Sequence, residues 1–332
     1  MALQHFVPRF VLSHFASDAI GSTRRAKVVS VLDLATRKTF QTAVTKVAAS
    51  NRLYDFVAET GETLSVDPFL TDVEQVTAPA WRKLAGLERI SDLDRREREA
   101  LALFITTLAI RGPSIRAQIE GVPGLVLEHL RKSGEAIEGM KEFFATSDGR
   151  DAEIHASIIV KLSRLYHIIA GRTWLLFKPP SNRRFCISDC PVALFNEIDN
   201  GPAGNVGFLV RGICLQVAIS PELLLIIADG DAYGVREADS VTRLGEEHLL
   251  RYNALLARFA HRHLYACSAL DFNVPDGSGP AGRPWKSSKR TPGRPSRKEL
   301  RFVTCKLSTA NSAVQASFDT AVQDTRRTSM LH

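Results

Sequence analysis

At Asn273 the character of the chain changes, and that change limits what the rest can fold into. Before it, apolar residues recur in runs with helical or alternating spacing. After it, residues 275–298 are dominated by Pro, Gly, Ser, Arg and Lys. Such a stretch buries too little apolar area to offset the entropy lost on ordering it. The expectation is therefore one folded body over residues 1–272 and a basic, disordered tail over 273–332.

Charge follows the same division. The tail holds 11 Lys+Arg against 4 Asp+Glu; of the chain's 43 and 36, that leaves 32 of each sign in the body. The whole excess of +7 thus belongs to the tail, and net charge gives the body no footing as a polyanion binder. The 5 cysteines are odd in number and irregularly spaced, which fits a reducing cytoplasm rather than a disulfide framework. The first residues lack the basic-then-apolar pattern of a signal peptide. Apolar stretches such as 101–110 and 223–228 fall short of the roughly 18 residues a membrane span needs. The expectation is a cytoplasmic protein with no membrane partner.

Within the body, 27–31 and 37–43 read as short strands and 53–57 as a further extended piece. Residues 67–84 read as a helix with Pro68 in its first turn and Phe69, Val73, Val76 and Trp81 as its apolar face. Ser91-Asp-Leu-Asp94 reads as a capping box opening a helix to Ile110, broken at Gly112-Pro113. Helical segments are expected through 114–144 and over 151–170. Strands follow at 174–178, 184–188, 192–195, 207–210, 215–219 and 224–227, and a last helix runs from Glu246 to Leu264. That order predicts an α+β fold, a helical middle region packed with a mainly antiparallel sheet.

Several chemistries are excluded by their missing motifs. There is no Gly-x-Gly-x-x-Gly dinucleotide fingerprint, P-loop, His-Glu-x-x-His or Gly-x-Ser-x-Gly elbow, and no acidic residue stands two places before a lysine. Cys186/Cys190 and His261/His263/Cys267 have partial metal spacing, but neither group is completed nearby, and ordinary packed side chains are the expectation.

Two motifs remain. His5-Phe-Val-Pro8 opens the chain, its proline forcing Val7 to be extended, and Leu12 and Phe15 follow. Ser188-Asp189-Cys190-Pro191-Val192 lies between two strands, where a carboxylate sits at a sheet end. Together they resemble the bacterial family called domain of unknown function 4238. Its members begin His-x-Val-Pro-x-x-x-Leu-x-x-Phe and later carry Thr/Ser-Ser-Asp-x-Pro-Val; here Ile187 stands where Thr is common, and Cys190 where Asn is frequent. Asn51–Asp55 before the acidic helix, Glu74 within it, Arg111 with Pro113, Ser220-Pro221 and Asn253 also match, over roughly residues 4–266. The resemblance carries candidate residues but no reaction.

If His5, Asp189, Glu74, Arg111 and Asn253 converge, they suit hydrolysis of a phosphoester or nucleic acid. Asp189 and Glu74 would hold a divalent metal through oxygen, His5 would act as general base or ligand, and Arg111 would stabilise developing negative charge. Each also has a local reading. His5 would pin the N-terminus, Asp189 would cap its turn, Glu74 and Arg111 would form an interhelical ion pair, and Asn253 would bond a loop. On that reading the body is a non-catalytic ligand- or partner-binding module. In the tail, Gly293-Arg294-Pro295 is similar to the core of an AT-hook, with Pro292 where Arg is usual. Arg290, Arg294, Arg297 and Lys298 are its candidate nucleic-acid contacts.

Overall fold

A computed structural model describes residues 3–18, 27–58, 60–120, 151–198 and 207–274. The expected tail, the segment 121–150 and the four basic tail residues therefore lie outside the described residues, Asn273 and Val274 apart. The fold is α+β, with several mainly antiparallel sheets.

The N-terminal part runs β1 (Leu3–His5), α1 (Arg9–His14), β2 (Ser17–Asp18), β3 (Lys27–Asp33), β4 (Thr39–Ala43), β5 (Ala49–Asn51), β6 (Asp55–Val57) and β7 (Thr63–Ser65). Next come the helices α2 (Asp67–Ala85), α3 (Arg95–Ile110), α4 (Asp151–Ser163) and α5 (Tyr166–Ala170). The remainder is β8 (Thr173–Lys178), β9 (Ile187–Ser188), β10 (Ala193–Asn196), β11 (Ile213–Ser220), β12 (Leu223–Ala228), α6 (Gly230–Tyr233), β13 (Thr242–Arg243), α7 (Glu246–Phe259) and β14 (His263–Ala266).

One five-stranded sheet has the order β10-β11-β12-β8-β13, antiparallel except where β13 joins β8. Every residue of β11 and β12 is buried, which explains why they read as unbroken apolar runs rather than alternating ones. The second sheet joins β2, β3, β14 and β9, with β4 added on β3. Its strand β14 brings the end of the body against both the N-terminal hairpin and the Ser188 turn. The short pair β1–β5 holds the first residues down. A single cluster of buried apolar side chains reaches from Phe6 to Ala266.

Helix α2 accommodates Pro68 in its first turn because proline lacks the N–H that a first turn leaves unpaired. Its buried face is Leu70, Val73, Thr77, Ala80, Trp81 and Leu84, so Thr77 is buried where Val76 was expected, and Val76 points to solvent. Helix α3 opens with a capping box one turn later than expected: Asp94 accepts from the Glu97 amide, and Glu97 reaches back to the Asp94 amide. Ile90–Asp92 forms a separate 3-10 turn ahead of it. Phe10 of α1 and Trp81 of α2 each meet Phe104 of α3 with ring centroids 5.3 Å apart. That aromatic joint fixes the first helix, and with it His5, against α2 and α3.

Three further expectations are corrected. The helix over 151–170 is two, broken after Ser163. Residues 207–210 form a turn rather than a strand, because Ile213 and Val210 amides bond back within it. The last helix stops at Phe259 instead of Leu264, and His263–Ala266 is a strand; the backbone amides that would have extended the helix are taken by Asp189.

Candidate functional site

The N-terminal motif builds a polar corner around Arg111. This residue caps the C-terminus of α3, and its side chain is 2 % exposed. A guanidinium buried so deeply has to find its partners inside the protein. It donates to the His5 carbonyl, donates through Nε to the Tyr54 hydroxyl at 3.1 Å, and pairs with Glu74 of α2 at 2.8 Å. Arg111 therefore joins β1, the turn before β6, α2 and α3 at one point. The expected Glu74–Arg111 ion pair between helices is present.

Arg111 Nη1 is held by a Glu74 carboxylate oxygen at 2.8 Å, whereas the buried His5 Nε2 has no hydrogen-bond partner. Burial, then Arg9 and Arg111, hold the His5 imidazole below its usual pKa, while the Thr45 backbone pulls the other way. The ring is thus neutral at pH 7. Burial pushes the Glu74 carboxyl upward and Arg111 draws it back. Asp67 is also raised by burial, and it senses both Arg111 and Asp55. Glu74 remains 26 % exposed, so the corner has an acidic rim open to solvent.

The second motif forms something different. Asp189 is buried at the end of β9. Its Oδ1 accepts from the His261 amide at 2.7 Å, and its Oδ2 accepts from Arg262 at 2.7 Å and His263 at 2.8 Å. Its own amide donates to the His263 carbonyl at 3.0 Å. Burial raises the carboxyl, and the three amides pull it down. Ser188 closes the turn by donating to the Cys190 carbonyl at 2.7 Å. In the same sheet Arg262 forks onto Asp33 at 3.0 and 2.7 Å, which holds the Asp33 carboxyl at about 2. His263 lies 4.0 Å from Asp189 and 3.9 Å from Asp33.

The structure therefore joins His5, Glu74 and Arg111 and sets Asp189 in a separate group. Among the described residues neither a hydrogen bond nor an ion pair links His5 to Asp189. The two regions approach each other at Cys190: a Cβ on Gly112 would meet Cys190 Sγ at 3.4 Å, and Ser114 Oγ is 3.0 Å from the same sulfur. Asn253 is in neither group. It donates to the Asn273 carbonyl at 3.0 Å and accepts from the Cys186 thiol, tying the end of the body to α7. Glu74 and Asp189 are not arranged as paired ligands, and no group of three or more His, Cys, Asp or Glu among the described residues could hold a metal ion.

With the geometry in place, the comparison with known proteins is decisive on one point. The profile of the family described as protein of unknown function (DUF4238) matches residues 3–269. The chain belongs to that family. No curated protein and no solved structure matches it. Family membership thus explains why both motifs occur, and leaves their use to be argued from geometry.

Sequence reasoning missed several members of the corner. Gln4 is buried; it donates to Asp55 at 2.8 Å and accepts from the Tyr54 amide at 2.8 Å. Tyr54 packs under the Arg111 guanidinium at 5.6 Å, and buried His155 is 3.0 Å from the Ile110 carbonyl. The signal for this stretch was the family resemblance at Asn51–Asp55, which contains both Tyr54 and Asp55 without singling either out.

Proposed function

We propose that this DUF4238 body is a ligand-binding module whose site is the His5–Glu74–Arg111 corner. One observation carries the reading: His5 Nε2 is buried without a hydrogen-bond partner in a corner whose Glu74 is 26 % exposed, whereas both oxygens of Asp189 are used by the protein itself. Buried polar atoms are normally satisfied, so an unsatisfied one near a solvent-open rim points to a ligand that completes it. The test is thermal unfolding of the full chain against small molecules of different classes. A stabilisation that His5→Gln and Glu74→Gln both remove supports the site; one that survives both places the ligand elsewhere.

A hydrolase acting on a phosphoester or nucleic acid is the second reading, favoured by the neutral imidazole of His5, which has the protonation state of a general base. It is weakened because Arg111 is already saturated by Glu74, Tyr54 and the His5 carbonyl. Turnover of a phosphodiester that needs both His5 and a divalent cation would install it. For the tail we propose a salt-sensitive nucleic-acid contact through Arg290, Arg294, Arg297 and Lys298, supported by the concentration of positive charge there. Replacing all four with Gln should flatten the dependence of binding on salt. No single helix among the described residues is long and apolar enough to cross a membrane; with the unpaired thiols of Cys186, Cys190, Cys214 and Cys267, that supports a cytoplasmic setting.

A further inference from the structure

The second sheet ends, among the described residues, in an edge strand with one side open. β4 pairs with β3 on one side, and its other side makes no backbone hydrogen bond there. Which groups face outward follows from the turn. Asp33 donates to the Lys38 carbonyl at 3.0 Å and accepts from the Arg37 amide at 2.7 Å, so the two strands are bonded at that point. Bonded and unbonded pairs alternate along an antiparallel ladder. The bonds therefore recur at Val31–Phe40 and Val29–Thr42, and the backbone groups of Thr39, Gln41 and Ala43 turn outward. On the far side of β3 the Leu34 amide donates to the Arg262 carbonyl at 2.9 Å, as the same alternation requires.

Folded proteins usually blunt such an edge with a charge, a proline or a bulge in the strand itself. Thr39-Phe-Gln-Thr-Ala43 has no charge and no proline, and its register with β3 is unbroken. Phe40 is 47 % exposed and lies opposite buried Val31, so it carries the apolar face of the sheet out to the edge. An extended peptide would add a strand here, pairing with the three outward residues and laying alternate side chains against Phe40. A nucleic acid would not, because it has no regular row of N–H and C=O groups to offer. Charge then selects among peptides. Residues 34–48 hold Arg37, Lys38 and Lys46 and no Asp or Glu, with the two lysines exposed on either side of the strand. A second copy would set one basic edge against another, and the chain's own tail, with 11 Lys+Arg against 4 Asp+Glu, has the same sign. We propose that β4 takes up an extended segment of another protein in which carboxylates flank a short apolar run.

The probe is a short fluorescent peptide of alternating Val and Thr with Glu at both ends, added to the full chain and followed by anisotropy. Its counterpart with Lys at both ends is the control. The Glu-ended peptide should bind, less tightly as salt is raised, and the Lys-ended one should bind at least about tenfold more weakly. Gln41→Pro removes an outward amide and leaves the bonds to β3, so it should abolish binding without unfolding the sheet. Lys38→Glu combined with Lys46→Glu should reverse the preference between the two peptides, a result that stays decisive if the proline variant fails to fold. No binding, equal binding of both peptides, or a preference that survives the charge reversal would overturn the proposal. Binding that persists in folded Gln41→Pro would show attraction by the lysines without an added strand, and would overturn it too. Two other outcomes would give the edge to a different occupant. A dimer in sedimentation that Gln41→Pro dissociates would assign it to a second copy, and slow hydrogen exchange at the Gln41 amide of the peptide-free monomer would assign it to the tail.

Discussion

The Arg111 corner and the Asp189 turn are both buried, polar and built from the family's motifs, yet they treat their polar atoms in opposite ways. Asp189 gives both carboxylate oxygens to three consecutive backbone amides. Nothing in that group asks for an outside partner. Arg111 is held by Glu74, Tyr54 and the His5 carbonyl, but the His5 imidazole in the same corner keeps a buried nitrogen with no partner. A saturated constellation holds a fold together; an incomplete one beside solvent is where a ligand would add something. A distinctive sequence motif does not separate these two uses, and counting hydrogen bonds does.

The largest effect should come from breaking the saturated group. Asp189→Ala removes the carboxylate that holds three part-buried amides at the junction of α7 and β14, so a loss of about 3 kcal/mol is expected by urea unfolding. A loss below about 1 kcal/mol would mean the turn is not a clasp. Arg111→Ala should cost somewhat less, about 2–3 kcal/mol, because the released Glu74 carboxylate can hydrate. Asn253→Ala should cost about 1–2 kcal/mol, since it removes one buried bond to the Asn273 carbonyl. Measured in the same buffer, the three values rank the polar groups by how completely the fold depends on them.

A pH series sharpens the comparison with a smaller effect. His5, His14, His155 and His263 all have pKa values held below the usual 6.5, in each case first by burial. The unfolded chain therefore takes up protons before the folded one, and stability should fall as pH drops below about 6.5. That loss should level off below the depressed folded values. Glu74 and Asp67 have the opposite sign, raised by burial, so below that range their protonation in the folded state offsets part of the loss. His5→Gln should make the curve between pH 7 and 5.5 shallower, and an unchanged curve would show that His5 stays solvated and free to protonate.

Much of the architecture was readable from local signals. The helix at 67–84 is found at Asp67–Ala85, and the strands at 174–178 and 224–227 lie within one residue or two of β8 and β12, because proline position and apolar runs are local properties. The end of α7 was not readable. The acceptor that claims its following amides is 72 residues away in sequence, so no window around His261 contains the reason the helix stops. The site divides in the same way. Glu74 and Arg111 could be paired in advance as opposite charges on neighbouring helices. The contribution of Tyr54, Gln4 and the His5 carbonyl could not, because each enters through a turn or a backbone atom that carries no sequence signature. Asp189 was readable as a turn carboxylate, but not as the partner of amides on another strand.

The difference between the two corners is tested most directly by measuring stability and ligand response together in His5→Gln and Asp189→Asn. Binding of the stabilising small molecule found in the thermal screen is followed in each by the change in unfolding temperature, corrected for the variant's own starting value. His5→Gln should lose the response while costing less than about 1 kcal/mol of stability. Asp189→Asn should lose about 2–3 kcal/mol yet keep the response in its folded fraction, because the lost acceptor lies outside the Arg111 corner. The reverse pattern, with His5→Gln strongly destabilised and Asp189→Asn stable but unresponsive, would contradict the account and place the functional centre at the Ser188–Val192 turn.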